Sequence, residues 1–208
     1  MIDQSTEKFY RHQFKRLKAS PYLLLPAMLA WLKGSWYKLI FRLQGRRFRA
    51  GHWFRVYGVM NVSGPGAIEF GDNCIVISNA IRPVCIRTLT PQARVVLGDH
   101  AGLNGTAIQC ANSVTIGELS NIADAYITDT PAHSLGIHRR QESVLDVPAS
   151  PVEIGRNVWV SVQVVILDGV SIGENSVIGA CSLIRDAVPA DVFAAGNPLK
   201  VIRRIEPE

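Results

Sequence analysis

Five histidines are the side chains best suited to moving a proton near neutral pH, because an imidazole with an ordinary pKa of ~6.5 populates both of its forms there. They are His12, His52, His100, His133 and His138. The last two share the stretch 129–151, where Thr130-Pro131, Gly136, Pro148 and Pro151 break a repeat that is regular on the C-terminal side. Asp129 stands four residues before His133, where a carboxylate can orient an imidazole and stabilise its charged form. From residue type alone, Asp129 reads equally well as a turn-capping aspartate. The four cysteines, Cys74, Cys85, Cys110 and Cys181, show no CxxC pair and no spacing suited to zinc. They read as small buried residues in a reducing compartment, and no metal is expected.

What would position these groups is written in sixes. From Ile154 the chain runs IGRNVW, VSVQVV, ILDGVS, IGENSV, IGACSL, IRDAVP. An aliphatic residue opens each unit (Ile154, Val160, Ile166, Ile172, Ile178, Ile184), and the fifth place is small or β-branched (Val158, Val164, Val170, Ser176, Ser182, Val188). A period of six fits neither the 3.6-residue drift of an amphipathic helix nor simple strand alternation. It fits a triangular column, in which each unit makes one short strand and one turn, three units make a coil, and coils stack at the ~4.8 Å strand spacing. The expected fold is therefore mainly β, a left-handed parallel β-helix of hexapeptide repeats with an N-terminal helical segment and a protruding loop at 129–151.

The pattern extends upstream less perfectly, in units opening at Phe70, Leu97, Cys110, Ile116 and Ile122, with residues 82–94 read as irregular. Beyond Pro189 the sequence reads as a turn plus a short basic strand or helix that caps the stack. The expected division is 1–55 as a basic amphipathic segment, 56–190 as the repeat domain and 191–208 as the cap. Residues 1–50 hold 11 of the 22 Lys and Arg but only 2 of the 17 Asp and Glu, so this segment carries +9 against −4 for the remainder. A basic, Leu- and Trp-rich appendage suits an anionic membrane surface or packing on the column and on neighbouring copies, and no nucleic-acid reader motif accompanies it. The apolar run Tyr22 to Leu32 is interrupted by Pro26. It spans about half the ~20 residues needed to cross a bilayer, and no signal peptide is read at the start of the chain.

The stretch LNGTAIQCANSVTIGELSNIADAYITDTPAHSL from Leu103, followed by PVEIGRNVWVSVQVV and the closing AGNPLKVIRRI, resembles the hexapeptide-repeat acetyltransferases. The likeness covers roughly residues 60 to 204 and is nearest to the O-acetyltransferases of capsule and lipopolysaccharide synthesis. It implies a homotrimer, with acetyl-CoA as co-substrate lying between neighbouring columns and a sugar as acceptor. The cysteines suit a cytoplasmic site of action, and peripheral contact of residues 7–49 with the inner membrane face would bring the enzyme to a lipid-linked glycan acceptor. In the family pattern His133 is the catalytic base and Asp129 its partner, and Asn104 is placed to reach the acceptor sugar or the thioester oxygen. Cofactor contacts fall on Trp159, Val162, Gly179, Ala180, Arg185, Lys200 and Arg203. The sequence departs from the family at Val162, where a small polar residue is common, and at Arg185-Asp186 and Leu199.

Two other readings compete. γ-Type carbonic anhydrases use the same column, and His133 and His138 repeat the five-residue separation of two of that family's zinc ligands, which would make the protein a metal-dependent hydratase. Sugar N-acetylation is the other, because residue types alone do not separate amine from hydroxyl acceptors.

Overall fold

The computed structural model describes residues 20–79, 82–134, 136–143 and 146–206. Its strands fall on three faces visited in strict rotation. The first face carries β1 (Phe48–Ala50), β4 (Ala67–Phe70), β7 (Arg94–Leu97), β10 (Ser113–Ile116), β13 (Val152–Ile154) and β16 (Ser171–Ile172). The second carries β2 (Arg55–Tyr57), β5 (Ile75–Ile77), β8 (Gly102–Asn104), β11 (Asn121–Ala123), β14 (Trp159–Val160), β17 (Val177–Ile178), β19 (Val192–Ala195) and β20 (Lys200–Arg204). The third carries β3 (Met60–Ser63), β6 (Val84–Thr88), β9 (Ala107–Cys110), β12 (Tyr126–Thr128), β15 (Val165–Ile166) and β18 (Leu183–Ile184). All neighbours pair in parallel except β19 with β20. The result is a left-handed β-helix of hexapeptide repeats.

The inward positions are those that open each six-residue unit. Ile154, Val160, Ile166, Ile172, Ile178 and Ile184 are each 2% exposed or less. Val160 lies in register between Ile122 and Ile178, so like side chains stack one coil above another. The fifth-place residues are also buried, from Val164 at 0% to Val188 at 4%, because they turn into the corners of the column. Where that place is serine, the hydroxyl donates to a neighbouring carbonyl: Ser176 to Pro189 at 2.8 Å and Ser182 to Gly179 at 2.6 Å. Outside, Asn157, Asn175 and Asp191 take φ of 55°, 58° and 57° and form a ladder at one corner, Asn157 Nδ2 donating to Asn175 Oδ1 and Asn175 Nδ2 to Asp191 Oδ1. Asn and Asp tolerate this left-handed conformation better than most side chains.

Four expectations need correction. Residues 82–94 are not irregular: β6 occupies 84–88 and pairs with β3 and β9, its inward residues Val84, Ile86 and Thr88 being buried. The unit opening at Ile122 is five residues long, since Ile127 pairs with Ile166 and Ala125, not Tyr126, fills the corner. The column also begins at Phe48, inside the stretch assigned to the N-terminal segment, because β1 pairs with β4. At the other end β19 still belongs to the second face and only β20 folds back on it.

The described part of the N-terminal segment is dominated by helix α1 (Leu24–Leu43). It closes the base of the column. Phe41, Phe48, Phe54 and Phe70 form a continuous aromatic cluster with ring centroids 4.8–6.0 Å apart. The Tyr37 hydroxyl accepts from the Met60 N–H at 3.0 Å, reaching β3 on the third face. Gly34 lies so close to the Phe54 carbonyl that an added Cβ would overlap backbone. Alanine is the better helix former by about 1 kcal/mol, yet Gly34→Ala is expected to lower the thermal unfolding midpoint by several degrees, because a backbone carbonyl cannot step aside. Differential scanning calorimetry checks it, and an unchanged or raised midpoint would mean the helix is not seated on Phe54.

Candidate active site

The loop 129–151 leaves the edge between the third and first faces, just after β12, and rejoins at β13. Its base is clamped. Asp129 is wholly buried, and its carboxylate accepts the backbone N–H groups of Ala111 and Asn112, both at 2.7 Å, and the Cys110 thiol at 3.3 Å. The Asp129 carbonyl accepts the Ser150 N–H at 2.9 Å, and Asn112 Nδ2 donates to the Ala149 carbonyl at 3.2 Å, so both ends of the loop are tied to the same coil. Thr128 and Thr130 are buried beside it, the Thr128 hydroxyl donating to the Thr130 carbonyl at 2.7 Å. Beyond this anchor the loop turns outward, and His133 and His138 are both exposed.

The Asp129 oxygens hold the turn at Ala111–Asn112, and among the described residues no hydrogen bond or ion pair joins them to the His133 imidazole. Sequence reasoning found the residue and left the turn-capping role open, and the turn-capping role is the one seen. It missed Asn112 as the second strap, since an asparagine in a repeat unit looks like any other turn residue. Nor do the histidines gather into a metal centre: among the described residues no three His, Cys, Asp or Glu side chains converge.

The remaining predicted residues divide between two edges of the column. Trp159 lies on the outer side of the second face, in register with Val177, which pairs with Phe193, which pairs with Arg203. Val162 and Ala180 follow at the corner after that face, both exposed. Gly179 is required there, as a Cβ would sit 2.7 Å from that of Ala195, the residue paired with Lys200. Six of the seven thus share one strip, its lower part apolar and its upper end basic. Arg185 does not: it follows β18 on the third face, at the edge from which the loop departs. Asn104 ends β8 on the second face, in register with Ala123. That puts it about 10 Å below the Trp159 coil at ~4.8 Å per coil. Its backbone carbonyl accepts the Asp124 N–H and the Thr106 hydroxyl.

Burial raises the Cys74 thiol to about 12, and it raises Cys110 as well, helped by the Asp129 carboxylate beside it. Neither is a nucleophile at neutral pH. Cys181, at the corner next to Ala180, is exposed, its thiol 3.3 Å from Gln163 Oε1.

Residues 151–186 match the family model described as bacterial transferase hexapeptide (six repeats). The chain carries bacterial transferase hexapeptide repeats. It is 41% identical over 93 residues to the galactoside O-acetyltransferase of Escherichia coli K12, covering 45% of each chain. A provisionally named acetyltransferase of Staphylococcus aureus strain MRSA252 is 44% identical over 79 residues, 38% of this chain and 39% of that one. The match thus spans less than half the length of these curated relatives. Among solved structures, a variant of AntD, an N-acyltransferase from Bacillus cereus, in complex with dTDP-4-amino-4,6-dideoxyglucose and coenzyme A, superposes with a TM-score of 0.64 at 17% identity, over 80% of this chain and 89% of that one. At that identity the likeness extends to the fold of the hexapeptide column.

Two outcomes follow from the loop anchor. Asp129→Ala leaves two buried N–H donors unpaired, at a cost of about 1–3 kcal/mol each, so denaturant unfolding should lose several kcal/mol and amide exchange at Ala111 and Asn112 should speed up. At neutral pH a thiol reagent should modify Cys181 and spare Cys74 and Cys110 in the folded protein. Peptide mapping reads this, and early labelling of Cys110 would mean the loop base is open.

Proposed function

We propose that the protein is an acyltransferase that moves an acetyl group from acetyl-CoA to a sugar hydroxyl in surface polysaccharide synthesis, with His133 as general base. The observation that carries this reading is an exposed imidazole on a loop whose base is fixed, set on a hexapeptide-repeat column whose second face offers a strip running from Trp159 to basic Lys200 and Arg203. In the reaction the imidazole takes the hydroxyl proton as the sugar oxygen attacks the thioester carbonyl. The tetrahedral intermediate then collapses, the C–S bond breaks, and the departing thiolate of coenzyme A recovers the proton from the imidazolium. The role of Asp129 is to hold the loop that presents the base.

Within one chain the loop edge and the strip lie on different edges of the column, so one copy does not complete the site. A homotrimer, in which the loop edge of one copy faces the strip of the next, joins them. In that arrangement Arg185 sits on the loop edge and meets the end of coenzyme A from the opposite side to Lys200 and Arg203, where guanidinium and ammonium groups suit its phosphates. Trp159, Val162, Gly179 and Ala180 supply a surface for the pantetheine arm. Asn104, lower on the same face, is assigned to the acceptor. Alignment with a galactoside O-acetyltransferase favours a hydroxyl acceptor over an amine.

Release of free thiol from acetyl-CoA in the presence of a panel of sugars tests the activity. His133→Ala should lower kcat by about 10²–10⁴-fold while acetyl-CoA still binds, and a variant that retains turnover would remove His133 from the chemistry. Arg203→Ala together with Lys200→Ala should raise KM for acetyl-CoA with little change in kcat. Acetyl-CoA should also slow alkylation of Cys181, which adjoins Ala180. Sedimentation equilibrium decides the trimer, and a monomeric active enzyme would contradict the shared site.

A further inference from the structure

Helix α1 is apolar on two opposite sides, and only one of them is used. Ala30, Gly34, Tyr37 and Phe41 face the column. At ~100° per residue, Leu25, Leu29, Leu32, Trp36, Leu39 and Leu43 form a stripe on the far side, and all six are between 49% and 74% exposed. Soluble surfaces rarely leave so many large apolar side chains contiguous without a partner. Trp53 extends the exposed aromatic surface beside the helix. It is 58% exposed, holds a left-handed φ of 52°, and lies 5.5 Å from the Trp31 ring. A bulky residue in that conformation is strained, yet it keeps an indole in solvent.

The charge around the stripe identifies what covers it. Between Leu24 and Ala50 lie Lys33, Lys38, Arg42, Arg46, Arg47 and Arg49, and from Ser20 to Ile68 there is no Asp or Glu at all. Lys33 flanks the stripe on one side and Arg42 on the other, both exposed. Two copies meeting through this face would set cation against cation with no acid to offset them. An anionic lipid surface meets both demands: it takes the apolar stripe below its headgroups and pairs phosphate with the flanking bases, which reach upward on long apolar stems. Tryptophans belong at that depth. No described helix is long and apolar enough to cross a membrane, so α1 lies along the surface.

We propose that the outer face of α1, with Trp31 and Trp53, docks the protein in the plane of an anionic bilayer. The docking face is at the base of the column and the candidate site runs up its edges above Asn104, so docking leaves the site uncovered. The docking does not depend on the acetyl-transfer reading.

Flotation of the full-length protein with vesicles of phosphatidylcholine alone, or with phosphatidylglycerol added, tests it. The unmodified protein should float with the anionic vesicles and at least ~tenfold less with the zwitterionic ones. Leu29→Glu combined with Trp36→Glu should abolish flotation on both. Lys33→Glu combined with Arg42→Glu should remove the preference for phosphatidylglycerol. These side chains are exposed, so circular dichroism and acetyl-CoA affinity should be unchanged in every variant, which separates this result from any failure of the transferase reading. Flotation that is equal in the Leu29/Trp36 variant and the unmodified protein overturns the proposal. So does an unmodified protein that never floats but whose mass by light scattering falls in that variant, which would assign the face to a second copy.

Discussion

The inward stacking of one aliphatic side chain per six residues is the constraint on which everything else rests. A single hexapeptide strand two or three residues long has no stability of its own, and its inward side chain is covered only when a like residue sits one coil above and another one coil below. Ile122, Val160 and Ile178 show this in register on the second face, as Ile127, Ile166 and Ile184 do on the third. Once that stack is set, the outward residues are fixed in rows, the corners are fixed in ladders, and every insertion must leave at a corner. The loop 129–151 obeys this rule: it adds more than twenty residues between β12 and β13 without disturbing the pairing of β10 with β13 or of β12 with β15.

A loop of that length on a rigid column would present its histidine at no fixed place unless its root were held. Asp129 does this by taking two N–H groups of the coil below, and its complete burial makes those bonds costly to exchange for water. A group that fixes where a loop stands and a group that tunes the protonation of a side chain on it are different devices, and the hydrogen bonds of Asp129 serve the first.

The column was legible in the sequence because its core writes a period that no other common structure shares. Ile154 to Val188 could be placed inside or at corners from residue type alone. The reading weakened where corners change length. Between Ile122 and Ile127 one residue is missing from the turn, and a strict six-residue frame put Tyr126 in the corner that Ala125 fills. In residues 82–94 the frame was lost and β6 with it, although Val84, Ile86 and Thr88 alternate inward as a strand should. The candidate site was legible only in part, because its two halves sit on separate edges. A sequence shows which residues belong to each edge, but Asp129 reads identically as a cap and as a catalytic partner until its hydrogen bonds are counted. Arg185 reads as a neighbour of Lys200 and Arg203 until the face it follows is known.

A parallel column has two open ends, and each exposes strand edges that invite further pairing. The chain closes them by different means. At the top, β20 reverses direction against β19 and presents only exposed residues, with Lys200, Arg203 and Arg204 making a charged edge that discourages another strand. The same charges stand at the end of the strip proposed for coenzyme A, so in that proposal one strand serves both purposes. At the base, closure falls to α1 and the Phe41–Phe48–Phe54–Phe70 cluster, which covers β1 and β2 and reaches β3 through Tyr37. That task needs only one face of the helix. A helix that served as a lid alone would have a polar outer face, as surface helices do. The outer face of α1 carries leucines and a tryptophan in their place, which closure of the column does not require.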